Sequence, residues 1–544
     1  MKNKNILLIT SALGDSKHVA SAPPIGLYRL KNYLVRSGVH CDILDLDMDS
    51  IDEYLKSVGN GIYDVIGFSV SHYNMRFDLD NICLFRKASE KSKKNCIFIA
   101  GGQEAVLNYQ QWLDCGIDII FLGFAEKSLY EFCSHIPSNN SGKISEIVKD
   151  TDGVAFYNEA QKLIYRPSKS MRMAEFQELS FYRIKELDIP YKIYWDKLDA
   201  EVKHFNFNKN KFITKTVRLY TTSHCPRKCG FCSSQAFIPT SQQCQSPIYM
   251  LSADDIFELI LFHIGQYGAQ GFLFSDDDLL VGTKAGLKRI FQLCELIIDA
   301  KLKGLIPEDI TFNCQARIAD FLLKPVNGRK RINNELMQVL KRAGFHGFGL
   351  GVETFSNRLL KCPSVNKIGI NESNCCHVLD ALLEHGLVPT INIILGIPES
   401  TEEDIIYTMT KTAEYALKGC QFVVTEYLKS FPGAPIYQNN DFTIKTEAWR
   451  NPFNGKRTDI EKYFIPVDPV IADILDRIEE QSIEELEYVK KNSPWTDSIV
   501  PKSISGLSVF LAFSRLLGRK DLIDYFNDVI KIISSRIIAN PQTD

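Results

Sequence analysis

Cys225, Cys229 and Cys232 stand together in the run Ser-His-Cys-Pro-Arg-Lys-Cys-Gly-Phe-Cys-Ser-Ser. Thiolates are soft ligands that hold iron–sulfur clusters or zinc. A closed structural site takes four ligands, yet no further cysteine follows until Cys244. Three thiolates on a cubane cluster leave one iron without a protein ligand, and an open metal position is where chemistry happens. The competing reading is a zinc site with His224 or Cys244 as fourth ligand. Zinc ribbons and fingers present two ligand pairs, and no second pair stands nearby. The setting also favours the cluster. Ile213 to Thr222 is rich in branched and aromatic residues and reads as a β-strand that feeds directly into the cysteine loop.

The C-x3-C-x2-C spacing, with Phe231 just before the third cysteine, resembles the signature of the radical S-adenosylmethionine enzymes. The resemblance implies a 4Fe-4S cluster on Cys225, Cys229 and Cys232. Its open iron would chelate the amino and carboxylate groups of S-adenosylmethionine, and an electron would cleave the sulfonium to a 5′-deoxyadenosyl radical. Only one cluster is expected. No cysteine follows Cys420, and Cys41, Cys83, Cys96, Cys115 and Cys133 are scattered without paired spacing.

Something must hold that loop, and residues 213 to 440 read as alternating strands and helices. Ser252 to Asp255 looks like a capped helix start. Strands are expected at Gly271 to Phe274, Ile310 to Cys314, Gly347 to Val352, Val388 to Leu395 and Phe422 to Tyr427. With Ile213 to Thr222 they make a partial (β/α)6 barrel of TIM type, whose active site belongs at the strands' carboxyl ends. The polar residues cluster there: Asp276 to Asp278, Arg317, Glu353, Gly396 to Glu399 and Phe431-Pro432-Gly433. The family resemblance implies S-adenosylmethionine contacts from Phe231, Asp276, Arg317, Glu353, Asn392 and Ile394, with Asn392 replacing the first glycine of the family's adenine-contacting motif. The plain alternatives are a turn at Asp276 to Asp278 and a rim salt bridge between Arg317 and Glu353. Glu353 is expected to be partly solvated.

Residues 1 to 140 alternate short apolar strands with helix-length segments, so the N-terminal domain should be a doubly wound parallel sheet of Rossmann or flavodoxin type, covered on both faces. Ligands bind beyond the carboxyl ends of such strands. Those ends carry Ser69 to His72, Gly101 to Glu104 and Gly123 to Glu126. The pattern resembles the cobalamin-binding domain of many radical S-adenosylmethionine enzymes, which implies cobalamin contacts from Ser69, Ser71, Gly101, Gly102 and Glu126. Two departures stand out. The motif that gives cobalt a histidine is missing, although Asp15 to His18 lies in the corresponding loop, and Phe124 adds bulk where the family has glycine and glutamate.

Residues 141 to 212 read as a linker holding a β-hairpin around Asn158 to Gln161. Residues 441 to 544 read as a C-terminal helical domain, with amphipathic runs at Ile471 to Leu486 and Ile504 to Leu517, that would serve as a lid or substrate wall. The chain has 544 residues, 45% hydrophobic and 24% charged, enough for about three packed domains. A net charge of −3 gives no footprint for nucleic acid. No charge-free run reaches membrane-spanning length, and the Met-Lys-Asn-Lys start leads into a strand, so a cytoplasmic protein is expected. The resemblance then implies cobalamin-dependent methylation of an unactivated carbon on a small-molecule or peptide substrate, with flavodoxin or ferredoxin as electron donor. The alternatives are a radical rearrangement, cyclisation or dehydrogenation without methyl transfer, and, in another class, a non-catalytic iron–sulfur or zinc protein.

Overall fold

A computed structural model describes residues 4–10, 22–92, 94–137, 142–203, 213–324, 330–439, 441–491 and 500–539. Asp15 to His18 lies outside these. The first sheet contains β1 (Asn5–Thr10), β2 (His40–Asp45), β3 (Val65–Ser69), β4 (Ile97–Gly101), β5 (Ile119–Phe121), β6 (Val154–Tyr157) and β7 (Leu163–Arg166), in the order β2-β1-β3-β4-β5-β6-β7. The first five strands are parallel. Their side chains alternate between two cores: Leu7, Ile9, Ile66, Phe68 and Phe98 fill one, while Ile6, Leu8, Val65, Ile97 and Ile99 fill the other. A period of two with both faces apolar is what helices on both sides of a parallel sheet demand. The chain reverses direction across β1 and β3, and such a switch point opens a crevice at the strand ends.

The hairpin expected in a linker is not separate. β6 pairs antiparallel with β5, Ile119 opposite Phe156, and extends the first sheet by two strands. Val154 and Phe156 are fully buried in one core and Ala155 in the other, so the hairpin continues the same alternation.

The second sheet holds six parallel strands in sequence order: β8 (Thr216–Leu219), β9 (Gly271–Phe274), β10 (Thr311–Ala316), β11 (Phe345–Glu353), β12 (Val388–Gly396) and β13 (Gln421–Tyr427). Helices intervene between consecutive strands, and the one at Ala253–Tyr267 begins with a reciprocal cap between Ser252 and Asp255. Alternation again sorts the side chains. Phe272, Phe274, Phe312, Cys314, Phe348, Leu350, Ile391 and Ile393 pack outward under the helices. The intervening positions, including Gln315, Gly349, Asn392 and Ile394, line the concave side, where a Cβ on Gly349 would meet the Gln315 side chain. β8 is shorter than expected at both ends, and beyond it Thr221 and Thr222 turn their N–H groups to Asp276.

The C-terminal part is not helical throughout. It opens with an antiparallel hairpin, β14 (Ile444–Arg450) and β15 (Arg457–Phe464). Trp449 and Ile460 are buried in a core of the N-terminal sheet, and the Trp449 indole donates to Asp80 at 2.8 Å. Helices Pro469–Lys491, Lys502–Leu516 and Lys520–Ala539 follow. The middle one is buried along nearly its whole length, with Phe510 stacked on Phe422 at 5.4 Å and Gly506 against Phe422 and Val424. It therefore covers the outer face of the barrel's edge strand, and edge strands need such cover. Among the described residues no helix is long and apolar enough to cross a membrane.

Candidate functional site

The cysteine loop leaves β8 through Thr221 and Thr222, which Asp276 grips. Its carboxylate accepts both backbone N–H groups, at 2.7 and 2.6 Å, and both hydroxyls, at 2.9 and 2.8 Å. Arg289 balances the buried charge and donates to Thr221 and to Leu279 O. Farther along, the Gly230 N–H donates to Val365 O and its carbonyl accepts from Ile436 N, so the loop is stitched to two distant segments. A Cβ at Gly230 would collide with Pro363 O, a backbone atom that cannot step aside. Phe231 wedges against Leu359, Leu360, Val365 and Ile397.

Cys225, Cys229 and Cys232 are free thiols, each half-buried. They sit close enough to feel one another: burial pushes Cys225 up to about 12, with Asp278, Asp277 and Cys232 adding to it, and burial likewise raises Cys232, with Asp277 and Cys229 adding to it. Metal binding must therefore displace protons, as it does at any thiolate site. The zinc alternatives are engaged elsewhere. His224 Nδ1 shares a hydrogen bond with Ser223 Oγ at 2.9 Å, and the exposed Cys244 lies against Ser170 Oγ at 3.2 Å. Among the described residues no compact group of His, Cys, Asp or Glu is gathered as around a single ion.

The structure re-sorts the aspartate run. Asp276 shares the outward face of Phe272 and Phe274, is buried, and spends its oxygens on Thr221 and Thr222, so it is no cofactor contact. Asp277 points the other way, to the cysteines. Its side chain is exposed beside Ser234, and burial raises its carboxyl. Glu353 also departs from expectation. It is buried and pairs with Lys367 Nζ at 2.7 Å, not with Arg317, because the chain crosses back over β11 at Lys367. Its φ of 66° is strained for a side-chain-bearing residue, which is common at functional sites. Arg317 ends β10, half-buried, with its N–H donating to Asp320. Asn392 and Ile394 lie half-buried on the concave face.

Of the residues expected around cobalamin, Ser69 and Gly101 pair at the ends of β3 and β4. Gly102 follows with φ 104°, and a Cβ on it would sit 3.3 Å from Val70 O and 3.9 Å from Ser69 Oγ. Around Gly101 a Cβ would touch only Phe121 O, at 3.9 Å. These small residues leave the close backbone approach that a bulky cofactor needs. Two others are used differently. Ser71 Oγ accepts from Asn74 N and its own N–H donates to buried Asp78, so it shapes the turn after β3. Glu126 is buried in an ion pair with Arg29 at 2.7 Å, which binds its helix to the helix Ile25–Arg36.

The two sheets present their carboxyl ends to each other. Gln103 donates to Ser233 Oγ at 3.1 Å, next to Cys232. Tyr73 reaches from the end of β3 toward the same loop. It is 65% exposed, and burial and the Cys232 charge raise its phenol. Phe431 stands 5.5 Å from its ring, and the Lys429 ammonium lies 4.2 Å from the ring centre. Tyr73 and Lys429 were not singled out from sequence, and Asp277 and Gln103 stood there only within the strand-end runs Asp276 to Asp278 and Gly101 to Glu104. Only Asp277 carried a signal there, the period of two set by Phe272 and Phe274.

Residues 219–411 match the sequence profile of the radical SAM superfamily. The barrel is a radical SAM domain. The fold of the whole chain is similar to that of OxsB, a cobalamin-dependent S-adenosylmethionine radical enzyme solved with aqua-cobalamin: TM-score 0.63 at 14% identity, over 100% of this chain and 81% of that one. It is also similar to TsrM, a radical S-adenosylmethionine methyltransferase from Kitasatospora setae solved with cobalamin and a [4Fe-4S] cluster: TM-score 0.60 at 13% identity, over 97% and 99%. No curated protein matches in sequence. Residues 219–411 thus carry a radical SAM domain, and the fold of the chain around it is similar to that of these two cobalamin-bound structures.

Proposed function

We propose that the chain holds a 4Fe-4S cluster on Cys225, Cys229 and Cys232, binds S-adenosylmethionine in the barrel and cobalamin in the crevice of the first sheet, and methylates an unactivated carbon. The observation that carries this reading is the juxtaposition: three free thiols, with Cys232 felt by Cys225 and feeling Cys229, stand on the loop after β8, and the sheet whose ends carry Ser69, Gly101 and Gly102 meets that loop through Gln103 on Ser233 and through Tyr73 near Cys232. When bound, the cluster with S-adenosylmethionine supplies a hydrogen-abstracting radical and cobalamin supplies the methyl group.

The chain's own residues do the rest. Asp277 offers a carboxylate to the cofactor's ammonium beside the thiols. Arg317 offers a guanidinium to its carboxylate, and charge-assisted bonds of this kind fix orientation. Asn392 and Ile394 form the wall against which an adenine can rest. Tyr73, Phe431 and Phe231 exclude water from the mouth, which protects a reactive intermediate. Ser69, Gly101 and Gly102 admit cobalamin along the backbone. A flavodoxin- or ferredoxin-type donor provides the electron, and the substrate is a small molecule or peptide.

Anaerobically reconstituted protein with dithionite tests this. Formation of both 5′-deoxyadenosine and S-adenosylhomocysteine in the presence of substrate supports methylation. Deoxyadenosine alone points to a rearrangement or dehydrogenation, and neither product removes the catalytic reading.

A further inference from the structure

Arg227 lies between Cys225 and Cys229, and none of the roles above uses it. Its side chain turns back into the barrel. Nη2 donates to Val281 O at 2.5 Å, and the guanidinium stands 3.5 Å from Asp278 Oδ2 and 3.7 Å from Asp320 Oδ1. Asp278 follows β9 and Asp320 lies in the turn after β10, with side chains 0% and 1% exposed. Each spends its other oxygen locally: Asp278 Oδ1 accepts from Val281 N at 3.1 Å, and Asp320 Oδ2 accepts from Arg317 N at 2.9 Å. Asp278 Oδ2, Asp320 Oδ1 and Arg227 Nε are buried without hydrogen-bond partners of their own. The oxygens left over are therefore the two that face the guanidinium.

The backbone beside them is bent to admit it. Val281, a β-branched residue, adopts φ 58°, which costs energy. Gly282 follows at φ 63°, and a Cβ there would collide with Arg227 Nη2 and Asp320 Oδ1. Strain of this sort persists only where surrounding contacts over-determine it. Two barrel strands thus converge on the one charged side chain of the loop that lies between two of its thiols and turns inward, and a permanently charged planar fork is suited to such a two-sided grip.

We propose that Arg227 is a positioning residue: clamped between Asp278 and Asp320, it holds the cysteine loop in its cluster-accepting shape before iron arrives. The inference rests on the cluster reading of that loop. An unanchored loop would have to be ordered each time metal binds, whereas the clamp supplies the order in advance.

The test uses the full-length chain in two forms. In the metal-free form, iodoacetamide labelling of Cys225, Cys229 and Cys232 is followed by mass spectrometry; in the reconstituted form, iron loss to an excess of a ferrous chelator is followed by absorbance. Arg227→Gln is expected to speed both at least tenfold, with Arg227→Lys in between. Rates equal to the parent's in Arg227→Gln overturn the proposal. A merely structural role, compensating the buried acid pair Asp278–Asp320, is separated by Arg227→Gln/Asp320→Asn, which leaves Asp278 with no second acid beside it. If the double variant returns both rates to the parent's, Arg227 only balanced charge and the proposal fails; if the rates stay fast in a protein that folds, it stands. Should the parent itself take up no iron, the cluster reading fails, and the labelling rates still decide the clamp.

Discussion

Exchanging alanine for Asp276 and for Asp277, one residue apart, should give opposite phenotypes. Asp276→Ala strips the acceptor from two backbone N–H groups and two hydroxyls at the root of the cysteine loop. Each buried donor left unmatched costs about 1–3 kcal/mol. Arg289 also loses one of the two carboxylates whose charge favours it, the other being Asp278. The four lost acceptor contacts share one carboxylate and overlap, so roughly 3–5 kcal/mol is the expected total. At about 2–4 °C per kcal/mol for a domain of this size, the melting temperature of the barrel should fall by roughly 6–20 °C. Asp277 makes no such bonds to the strand, and its charge is held beside Asp276 and Asp278, which raise its carboxyl after burial does. Asp277→Ala should therefore leave the melting temperature within a degree or two, or raise it slightly, a change of about 0.5 kcal/mol at most. Circular dichroism melts of the metal-free variants give the first reading, and S-adenosylmethionine titration of the reconstituted proteins gives the second. Asp277→Ala should lose cofactor affinity while still holding a cluster. Equal destabilisation by both changes, or a stable Asp276→Ala that binds cofactor poorly, would refute the assignment of inward and outward faces.

Gly230→Ala drives a methyl into Pro363 O and should abolish the cluster's visible absorbance, with little change in the far-ultraviolet spectrum. Gly102→Val places a branched side chain on a backbone at φ 104° and against Val70 O, so cobalamin retention should fall while iron content stays at the parent value. The carboxyl of Asp320 is raised to about 8 by burial and by Asp278 beside it. The folded chain then keeps a proton between about pH 4 and pH 8 that the unfolded chain releases, so this group's stabilisation is full below pH 4 and is lost as pH rises toward 8. Melting temperatures measured across that range should fall more steeply for the parent than for Asp320→Asn; parallel curves would assign the slope to other groups.

Spacing and periodicity carried much of this architecture, and their limits are instructive. The cysteine run, the alternation of strands and helices and the turn residues at strand ends are local signals, and local signals survive in a linear sequence. Asp276 and Asp277 were separable by the same rule that located β9, since residues two apart share a face and Phe272 and Phe274 both pack outward. Treating the three aspartates as one acidic cluster discarded that information. The hairpin β14–β15 left only the turn signal Asn454-Gly455, because its strands lack a clean alternation of apolar and polar residues. Other features had no local trace. Glu126 meets Arg29 from 97 residues away, Trp449 meets Asp80 from 369, and Lys367 reaches Glu353 only because the chain doubles back across β11. Each of these buried pairings consumes a polar group that composition alone marks as free for a ligand. A polar side chain at a strand's carboxyl end is thus a site residue only when no partner inside the fold has taken it. By that measure Ser69, Gly101 and Gly102 remain available here and Asp277 and Cys232 meet Ser234, while Ser71, Glu126 and Asp276 have been spent on holding the site in place.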